Sequence, residues 1–519
     1  MRWKISVELS AAERAVASRL RRSGKFYVFL REIRHELFDE AFEVELEQAY
    51  GKARGTAPLP AALLATVTLL QAYDQLSDAD AVVTAEMDRR WQLVLGCLGR
   101  KKAPFSQGVL PRFRERMAEH NLDAKLLERT VAIAKQSGKF GWQHLKAAFD
   151  SSPLLGAGRV EDTFNLIGRA MSTLVTCAAK SLGVPREQII ADAKLTVLST
   201  SSIKAALDID WDDPEQRGQA LVRLLDEVKA LEAWVHQHAG QQIDEPPLRE
   251  AMALLRRVVE QDLEPEPTDG QPKIRQGVAK DRMPSLGDPE MRHGRKTRSK
   301  LFNGYKRHLV MLAGTDLIVG AEVRPANEPE HEVFDKLWAA AERQGPIEEG
   351  LFDRGYLGSP TVGKLDERGV RMRCKPWRSR NRDRYPKERF VIRLDEGTVT
   401  CPAGVTATIR PKRSVVRFPA ATCAACAQRE QCTTARSGGR TVTIHPREAL
   451  LQKLRQEKQT PEGRAGLRER LTVEHSLAKL VQVQGPRARY KGARKNTLDA
   501  RRCAAVVNLQ TLARVRRAG

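Results

Sequence analysis

Two apolar segments, far apart in the chain, end in the same local pattern of an aspartate followed by turn-forming residues. The first is Leu145-Lys-Ala-Ala-Phe-Asp150, which precedes Ser-Ser-Pro153, and the second is Ile347-Glu-Glu-Gly-Leu-Phe-Asp353, which precedes Arg-Gly-Tyr356. Each pattern predicts a buried strand that ends at its aspartate. A carboxylate at the tip of a core strand lies where a rigid scaffold meets solvent, so it is suited to holding a metal ion. A turn-capping aspartate is the common explanation of either segment taken alone.

The segments that follow Asp150 predict the remaining elements of one α/β core. Alternating apolar residues predict strands at 305–312 and 317–323, separated by the hairpin signal Ala313-Gly-Thr-Asp316. Helical periodicity and a further apolar run predict a helix at 330–343, a helix at 360–368 and a strand at 370–375. Asp150 then lies on the first strand and Asp353 on the fourth. This order of strands and helices is that of a ribonuclease-H-like mixed-sheet core.

Composition and periodicity divide the rest of the chain into predicted units. The predicted division is a helical N-terminal DNA-binding domain at 1–140, the first core strand at 141–159, a helical insertion at 160–272, the continued core at 273–390, a cysteine-rich, zinc-ribbon-like β insertion at 391–445, and C-terminal helices with a basic tail at 446–519.

Charge points to a polyanionic partner. The 519 residues hold 88 Lys and Arg against 65 Asp and Glu, a formal net charge of +23, which favours nucleic acid over a small substrate. No apolar run approaches the roughly 18 residues that span a bilayer, and the first residues lack the apolar region of a signal peptide. We therefore expect a cytoplasmic protein, nucleoid-associated in a bacterium, that binds DNA and no membrane.

Basic residues are concentrated in two stretches. Residues 273–307 hold 11 Lys and Arg against 3 acidic residues, and residues 485–519 hold 10 against 1. Such density is typical of segments that follow a phosphate backbone. The residues predicted to contact DNA are Arg295, Lys296, Arg298, Lys300, Lys306, Arg307, Arg470, Lys479, Arg487, Arg489 and Lys491.

Four of the eight cysteines lie within residues 401–432. The pair Cys423-Ala-Ala-Cys426 brackets a tight turn that can present two thiolates to one tetrahedral ion, and Cys401 and Cys432 would complete four sulfur ligands. This spacing predicts one structural Zn²⁺. Buried or redox-active thiols are the alternative, because only one pair has the close spacing of a zinc site.

Several sequence blocks resemble the insertion-sequence DDE transposases of the 1182 type. The blocks are Asp150-Ser-Ser-Pro-Leu-Leu-Gly-Ala-Gly158 with Glu161-Asp-Thr-Phe-Asn165, Asp288-Pro-Glu-Met-Arg-His-Gly-Arg-Lys296 with Asn303-Gly-Tyr-Lys306, Asp353-Arg-Gly-Tyr356, and Cys423-Ala-Ala-Cys426 with Gln431-Cys-Thr433. The stretch from Leu70 through Trp91 also resembles the N-terminal domain of these enzymes.

The resemblance implies a transposase that binds element ends, cuts DNA and joins it to a target. It also implies that a homodimer acts on paired ends. It implies a catalytic triad of Asp150, Asp353 and Glu474 with two Mg²⁺ (or Mn²⁺) ions, an oxygen-rich ligand set that magnesium prefers. A related group carries a Tyr-Arg-Glu-Lys signature, from which this chain departs with Leu467 at the Tyr position and Lys479 too close to Glu474. Glu469 is therefore the fallback for the third carboxylate. The competing functions are a non-catalytic DNA-binding protein, as in a decayed transposase, and a nuclease of the same fold that does not transfer strands.

Overall fold

The N-terminal part of the protein is entirely helical where it is described. The computed structural model describes residues 3, 6–21, 24–50, 58–265, 270–297, 299–377, 379, 381–411 and 413–518. The N-terminal helices are α1 (Ala11–Arg19), α2 (Lys25–Leu37), α3 (Glu40–Gln48), α4 (Ala61–Asp74), α5 (Asp78–Met87), α6 (Arg89–Leu95), α7 (Val109–Glu119) and α8 (Leu122–Gln136). Helix α4 is apolar on all sides and is buried along most of its length, so it forms the centre of this part.

A mixed sheet follows the N-terminal helices. Its strands are β1 (Leu145–Leu155), β2 (Arg292–Arg295), β3 (Leu301–Leu312), β4 (Leu317–Pro325), β5 (Ile347–Leu351) and β6 (Arg371–Arg373). Strand β3 is antiparallel to β1, β2 and β4, whereas β1 is parallel to β5 and β5 is parallel to β6. The order β4-β3-β1-β5-β6, with β2 beside the start of β3, is consistent with the predicted ribonuclease-H-like core.

The two faces of the sheet contact different sets of residues. Ala147 and Phe149 of β1 belong to a core that contains the rings of Phe334, Trp338 and Tyr356, and α14 (Phe334–Glu342) and α15 (Pro360–Glu367) lie on this side. Ala148, between them, belongs to the core that the N-terminal helices share with α20 (Leu471–Gln484) and α21 (Ala493–Ala518). Side chains alternate between faces along a strand, so β1 connects both cores.

Helix α21 covers the free edge of β4. The Thr497 hydroxyl accepts a hydrogen bond from the Val323 backbone N–H at 3.0 Å, and Arg501 Nε donates to the Ala321 carbonyl at 3.0 Å. Asn508 accepts from the Ile318 N–H and donates to the Ile318 carbonyl, both at 2.8 Å. These side chains satisfy backbone groups that an edge strand otherwise leaves unpaired.

The chain between β1 and β2 forms a helical layer with its own core. Its helices are α9 (Thr163–Leu182), α10 (Arg186–Asp192), α11 (Ile203–Leu207), α12 (Pro214–Ala239) and α13 (Pro246–Asp262). The ion pair of Arg282 with Asp262, and the hydrogen bond of Thr163 to Asp262, join its first and last helices to the segment that leads into β2.

Short elements surround the four clustered cysteines. They are β7 (Val391–Arg393), β8 (Thr398–Thr400), β9 (Thr406–Thr408), β10 (Val415–Arg417), α16 (Ala420–Ala424), α17 (Arg429–Cys432) and β11 (Thr441–Thr443). They form a three-stranded and a two-stranded sheet around a small apolar core that contains Phe390 and Phe418. Helices α18 (Glu448–Glu457) and α19 (Pro461–Glu469) then lead into α20.

The predicted core elements are confirmed, but the prediction that the first strand ends at Asp150 is wrong. Strand β1 continues to Leu155, because its residues from Asp150 onward still pair with β3, so Asp150 lies in the middle of the strand. The other boundaries change little. Strand β3 begins four residues earlier than its prediction, at Leu301, and the predicted helix at 330–343 opens with the 3₁₀ turn Glu330–Val333. In the described ranges, no helix is both long enough and apolar enough to cross a bilayer.

Candidate active site

The register of the sheet aligns Asp150 with Asp353. In the parallel pair of β1 and β5, Ala147 is opposite Gly350 and Ala148 is opposite Leu351, an offset of 203 in both cases. The two aspartates have the same offset, 353 − 150 = 203. Asp150 lies in the middle of β1, and Asp353 lies just beyond the end of β5. Continuing this register by two residues puts the two carboxylates side by side on adjacent chains, which are about 4.8 Å apart.

The two aspartates also share a face of the sheet. Ala148 and Leu351 belong to the core on the α20 side, whereas Phe149 and Phe352 belong to the core on the other side. Alternation along each strand therefore directs Asp150 and Asp353 toward α20. Glu474, the third predicted carboxylate, lies in the first turn of that helix.

Arg470 joins the first and third carboxylates. Its Nη1 lies 3.6 Å from Asp150 Oδ1 and its Nη2 lies 2.9 Å from Glu474 Oε1. The Asp150 side chain is 18% exposed, and the Glu474 side chain is 47% exposed. The guanidinium thus sits between a partly buried carboxylate and one that solvent reaches.

Asp150 is held in an unfavourable environment for its charge. Burial raises its pKa to about 6; the Ser151 N–H and Arg470 oppose this rise, and the negative charges of Glu474 and Asp353 add to it. A divalent cation would relieve this repulsion, and carboxylate oxygens are the ligands that Mg²⁺ prefers. The residues present therefore fit the implied ion in their chemistry. Among the described residues, no group of three His, Cys, Asp or Glu side chains is placed to hold a metal ion.

The fallback residue Glu469 faces a different part of β1. Its Oε2 lies 2.7 Å from Nζ of Lys146, four residues before Asp150. Four residues of strand span about 13 Å. The contact of Glu469 with Lys146 thus favours Glu474 over Glu469 as the partner of Asp150.

Four polar side chains to which the sequence analysis gave no role lie on the opposite face of the sheet, behind the aspartates. They are Ser151, His308, Glu330 and Tyr356, and they hydrogen-bond to one another. Ser151 and Tyr356 fall within the blocks quoted above. His308 and Glu330 carry no local signal, because each reaches the cluster only through the folding of the sheet.

The basic residues predicted to contact DNA have several different environments. Arg295, Lys296 and Lys300 are exposed around the turn between β2 and β3, and Arg487 and Lys491 are exposed before α21. Lys306 donates to the Glu328 carbonyl, Lys479 pairs with Asp316, and Arg489 donates to the Leu76 carbonyl. Arg298 lies outside the described residues.

Arg307 corrects one of these predictions. It is 1% exposed and donates to Gln484 Oε1 at 2.9 Å and to the Pro153 carbonyl at 3.1 Å. Burial lowers its pKa to about 10. Its side chain ties β1 and β3 to α20 and is not available to a phosphate, because dense positive charge in a sequence does not reveal which residues face inward.

The four clustered cysteines line one cavity, together with Tyr385 and Phe418. All four are half-buried free thiols. Burial raises the pKa of the Cys432 thiol; Arg440 opposes this, and Cys423, Cys401 and Cys426 add to it. The four thiols thus lie around the same cavity, but among the described residues no three of them are placed to hold a metal ion.

Two family models match the chain. One, described as a transposase DDE domain, matches residues 400–513, which include Glu474 and the four clustered cysteines. The other, described as a transposase domain (DUF772), matches residues 17–116 in the N-terminal helices. Neither description distinguishes the 1182 type, which stays a prediction. No curated protein and no solved structure matches the chain.

Proposed function

We propose that this chain is an insertion-sequence DDE transposase, as its two family matches indicate. It binds the ends of its element, cleaves a phosphodiester there, and joins the freed end to target DNA. Asp150, Asp353 and Glu474 hold two divalent ions for both steps. Two copies of the chain act on a pair of ends.

The shared register of Asp150 and Asp353 is the observation that carries this proposal. Residues 203 positions apart in sequence have the same 203-residue offset as the paired residues of β1 and β5. The contact of Arg470 with both Asp150 and Glu474 then links the first strand to α20. A turn-capping role explains each aspartate separately but gives no reason for this convergence.

The residues divide the chemistry among them. When bound, the two ions activate the attacking oxygen and stabilise the leaving oxygen. Asp150 within β1 and Asp353 just after β5 supply oxygen ligands from a rigid sheet, and Arg470 holds Glu474 toward them. In the first step a water oxygen replaces the 3′ oxygen on phosphorus. In the second step the freed 3′-hydroxyl attacks a target phosphodiester, so one P–O bond forms as another breaks.

Replacing Asp353 with Asn tests the proposal. We expect Mg²⁺-dependent cleavage of DNA that carries both element ends to fall by about 10³-fold or more, since lost ion binding removes several kcal/mol of transition-state stabilisation. Asp366→Asn is the matched control, because that residue pairs with Lys453 on the surface. Retained cleavage by folded Asp353→Asn protein would contradict the proposal.

The same assay separates the competing functions. Wild-type protein that binds end DNA without cutting it, in Mg²⁺ and in Mn²⁺, would be a non-catalytic DNA-binding protein. Cleavage without joining of pre-cut ends to target DNA would identify a nuclease.

For the cysteine cluster we propose one structural Zn²⁺ held by Cys401, Cys423, Cys426 and Cys432. Their shared cavity supports it, and tetrahedral sulfur ligation is typical of such sites. Metal analysis should find about one equivalent of zinc, lost in a Cys423→Ser, Cys426→Ser variant and kept in Cys177→Ser. Folded wild-type protein without zinc would favour buried or redox thiols instead.

A further inference from the structure

We propose that Glu330 is a positioning residue of this site, whose carboxylate connects the part of β1 that carries Asp150 to the turn that follows Asp353. This inference rests on the proposed function, because it concerns the geometry of the same two aspartates.

Glu330 is connected to Asp150 through hydrogen bonds of Ser151. The Ser151 hydroxyl donates to Glu330 Oε1 at 2.6 Å, and the Ser151 backbone N–H donates to Asp150 Oδ1 at 2.8 Å. One residue therefore contacts the carboxylate of Asp150 on one face of the sheet and that of Glu330 on the other. Glu330 therefore fixes the side chain of the residue whose backbone N–H orients Asp150.

On its other side, Glu330 lies close to Gly355, which is two residues after Asp353. A Cβ atom at position 355 would lie 1.9 Å from Glu330 Oε2, so a larger residue does not fit unless the carboxylate moves. The absence of a side chain lets Glu330 pack directly on the turn that leaves β5. This contact explains why the Asp-Arg-Gly-Tyr block has glycine at its third position.

Buried hydrogen bonds hold Glu330 and the turn in place. The Tyr356 phenol hydrogen-bonds to Ser151 and lies 2.9 Å from His308 Nδ1. Burial, and then the charges of Glu330 and Asp150, raise the pKa of Tyr356 well above its usual value, so the phenol keeps its proton. His308 pairs in register with Ser151 across β1 and β3. The cluster therefore connects β1, β3, the 3₁₀ turn at Glu330 and the turn after β5.

Such a connection matters because two carboxylates must stay near each other despite their repulsion. Ions in a two-metal site are about 3.5–4 Å apart, and their ligands need placement to a fraction of an ångström. Residues that orient metal ligands from behind typically change metal affinity or activity about 10–100-fold when replaced. Glu330 acts in this way through Ser151 and Gly355.

Mn²⁺ binding to DNA-free protein, followed by electron paramagnetic resonance, tests the inference. We expect Glu330→Ala to weaken binding about tenfold, and Glu330→Gln, which keeps an acceptor for Ser151, to recover most of the loss. Glu332→Ala is the matched control, because this exposed residue lies on the same 3₁₀ turn and contacts His331 instead. Cleavage by Glu330→Ala protein should need a higher Mg²⁺ concentration and approach the wild-type rate at saturation.

Two further variants keep the test decisive. Ser151→Ala removes the shared hydroxyl and should weaken Mn²⁺ binding to a similar extent, with little added loss in the double variant, because the two residues act as one unit. Thermal unfolding checks that each variant is folded, and Ser151→Ala decides the matter if Glu330→Ala does not fold.

The outcomes distinguish this inference from the proposed function. Wild-type Mn²⁺ binding that is unaffected by Asp353→Asn would overturn the proposed site itself. Binding that depends on Asp353 but is unchanged in folded Glu330→Ala or Ser151→Ala protein would overturn only the role of Glu330. Equal losses in Glu330→Gln and Glu330→Ala would overturn it as well, since the charge and not the hydrogen bond would then matter.

Discussion

At the scale of single residues, Asp150 shows most directly the cost of burying a carboxylate, to which the nearby charges of Glu474 and Asp353 add. Its pKa of about 6 lies above the value of about 3.9 for an unfolded aspartate. Between these two pH values the folded protein binds the proton more readily than the unfolded chain does. The stability of the metal-free protein therefore falls as pH rises from about 4 to 6, and the full deficit is present above pH 6.

Replacing Asp150 with Asn should consequently stabilise the metal-free protein. At pH 7.5 we expect a gain of about 3 kcal/mol, which disappears near pH 4. It should be visible as a higher thermal unfolding temperature in EDTA. Mg²⁺ should raise the unfolding temperature of wild-type protein and leave that of the variant unchanged. A variant less stable than wild-type protein at pH 7.5 without metal would contradict this view of Asp150.

The sequence revealed the two aspartates because an apolar run followed by Asp and turn residues is a local signal. It placed the end of the first strand too early, since residues 151–153 continue β1 in pairing with β3. Ser151 and Tyr356 belong to the sequence blocks that were singled out, but their partner Glu330 could not be identified from the sequence. Ser151 and Glu330 are 179 positions apart, and no periodicity connects residues at that separation. For Arg307 a local signal was misleading. The dense positive charge around it predicted a DNA contact, but the residue is buried.

At the scale of elements, helix α21 was predicted only from its periodicity, and in the structure it covers the free edge of β4. Thr497, Arg501 and Asn508 lie on one side of this helix and bond to backbone groups along β4. A helical pattern predicts an apolar stripe, but it does not specify which strand edge the polar members of that stripe satisfy. The edge covered by α21 was therefore not predictable from the sequence.

Asn508→Ala should destabilise the protein by about 3 kcal/mol, since it strips both backbone groups of Ile318 of their partners in a buried site. Gln510→Ala, a half-buried position on the same helix, should change the stability by less than about 0.5 kcal/mol. Urea unfolding followed by circular dichroism compares the two. Equal effects would show that α21 does not seal this edge through Asn508.

At the scale of the whole molecule, helix α21 packs against both the N-terminal helices and the sheet. Arg494 and Arg501 of α21 both pair with the buried Asp123 of α8, and Asn508 also donates to Thr130 of that helix. Helix α21 thus joins the N-terminal helices to the sheet, while α20, just before it, carries Glu474. Charge composition predicted a nucleic-acid partner, but this packing depends on contacts between residues more than 350 positions apart.

The central claim is that Asp150, Asp353 and Glu474 gather divalent ions at one end of the sheet. Anomalous diffraction from crystals soaked in Mn²⁺ tests it most directly. We predict a manganese peak between Asp150 and Asp353, with carboxylate oxygens at about 2.1 Å as expected for an octahedral oxygen site, and Glu474 turned toward it. A peak elsewhere, or carboxylates that stay apart in saturating Mn²⁺, would contradict the claim.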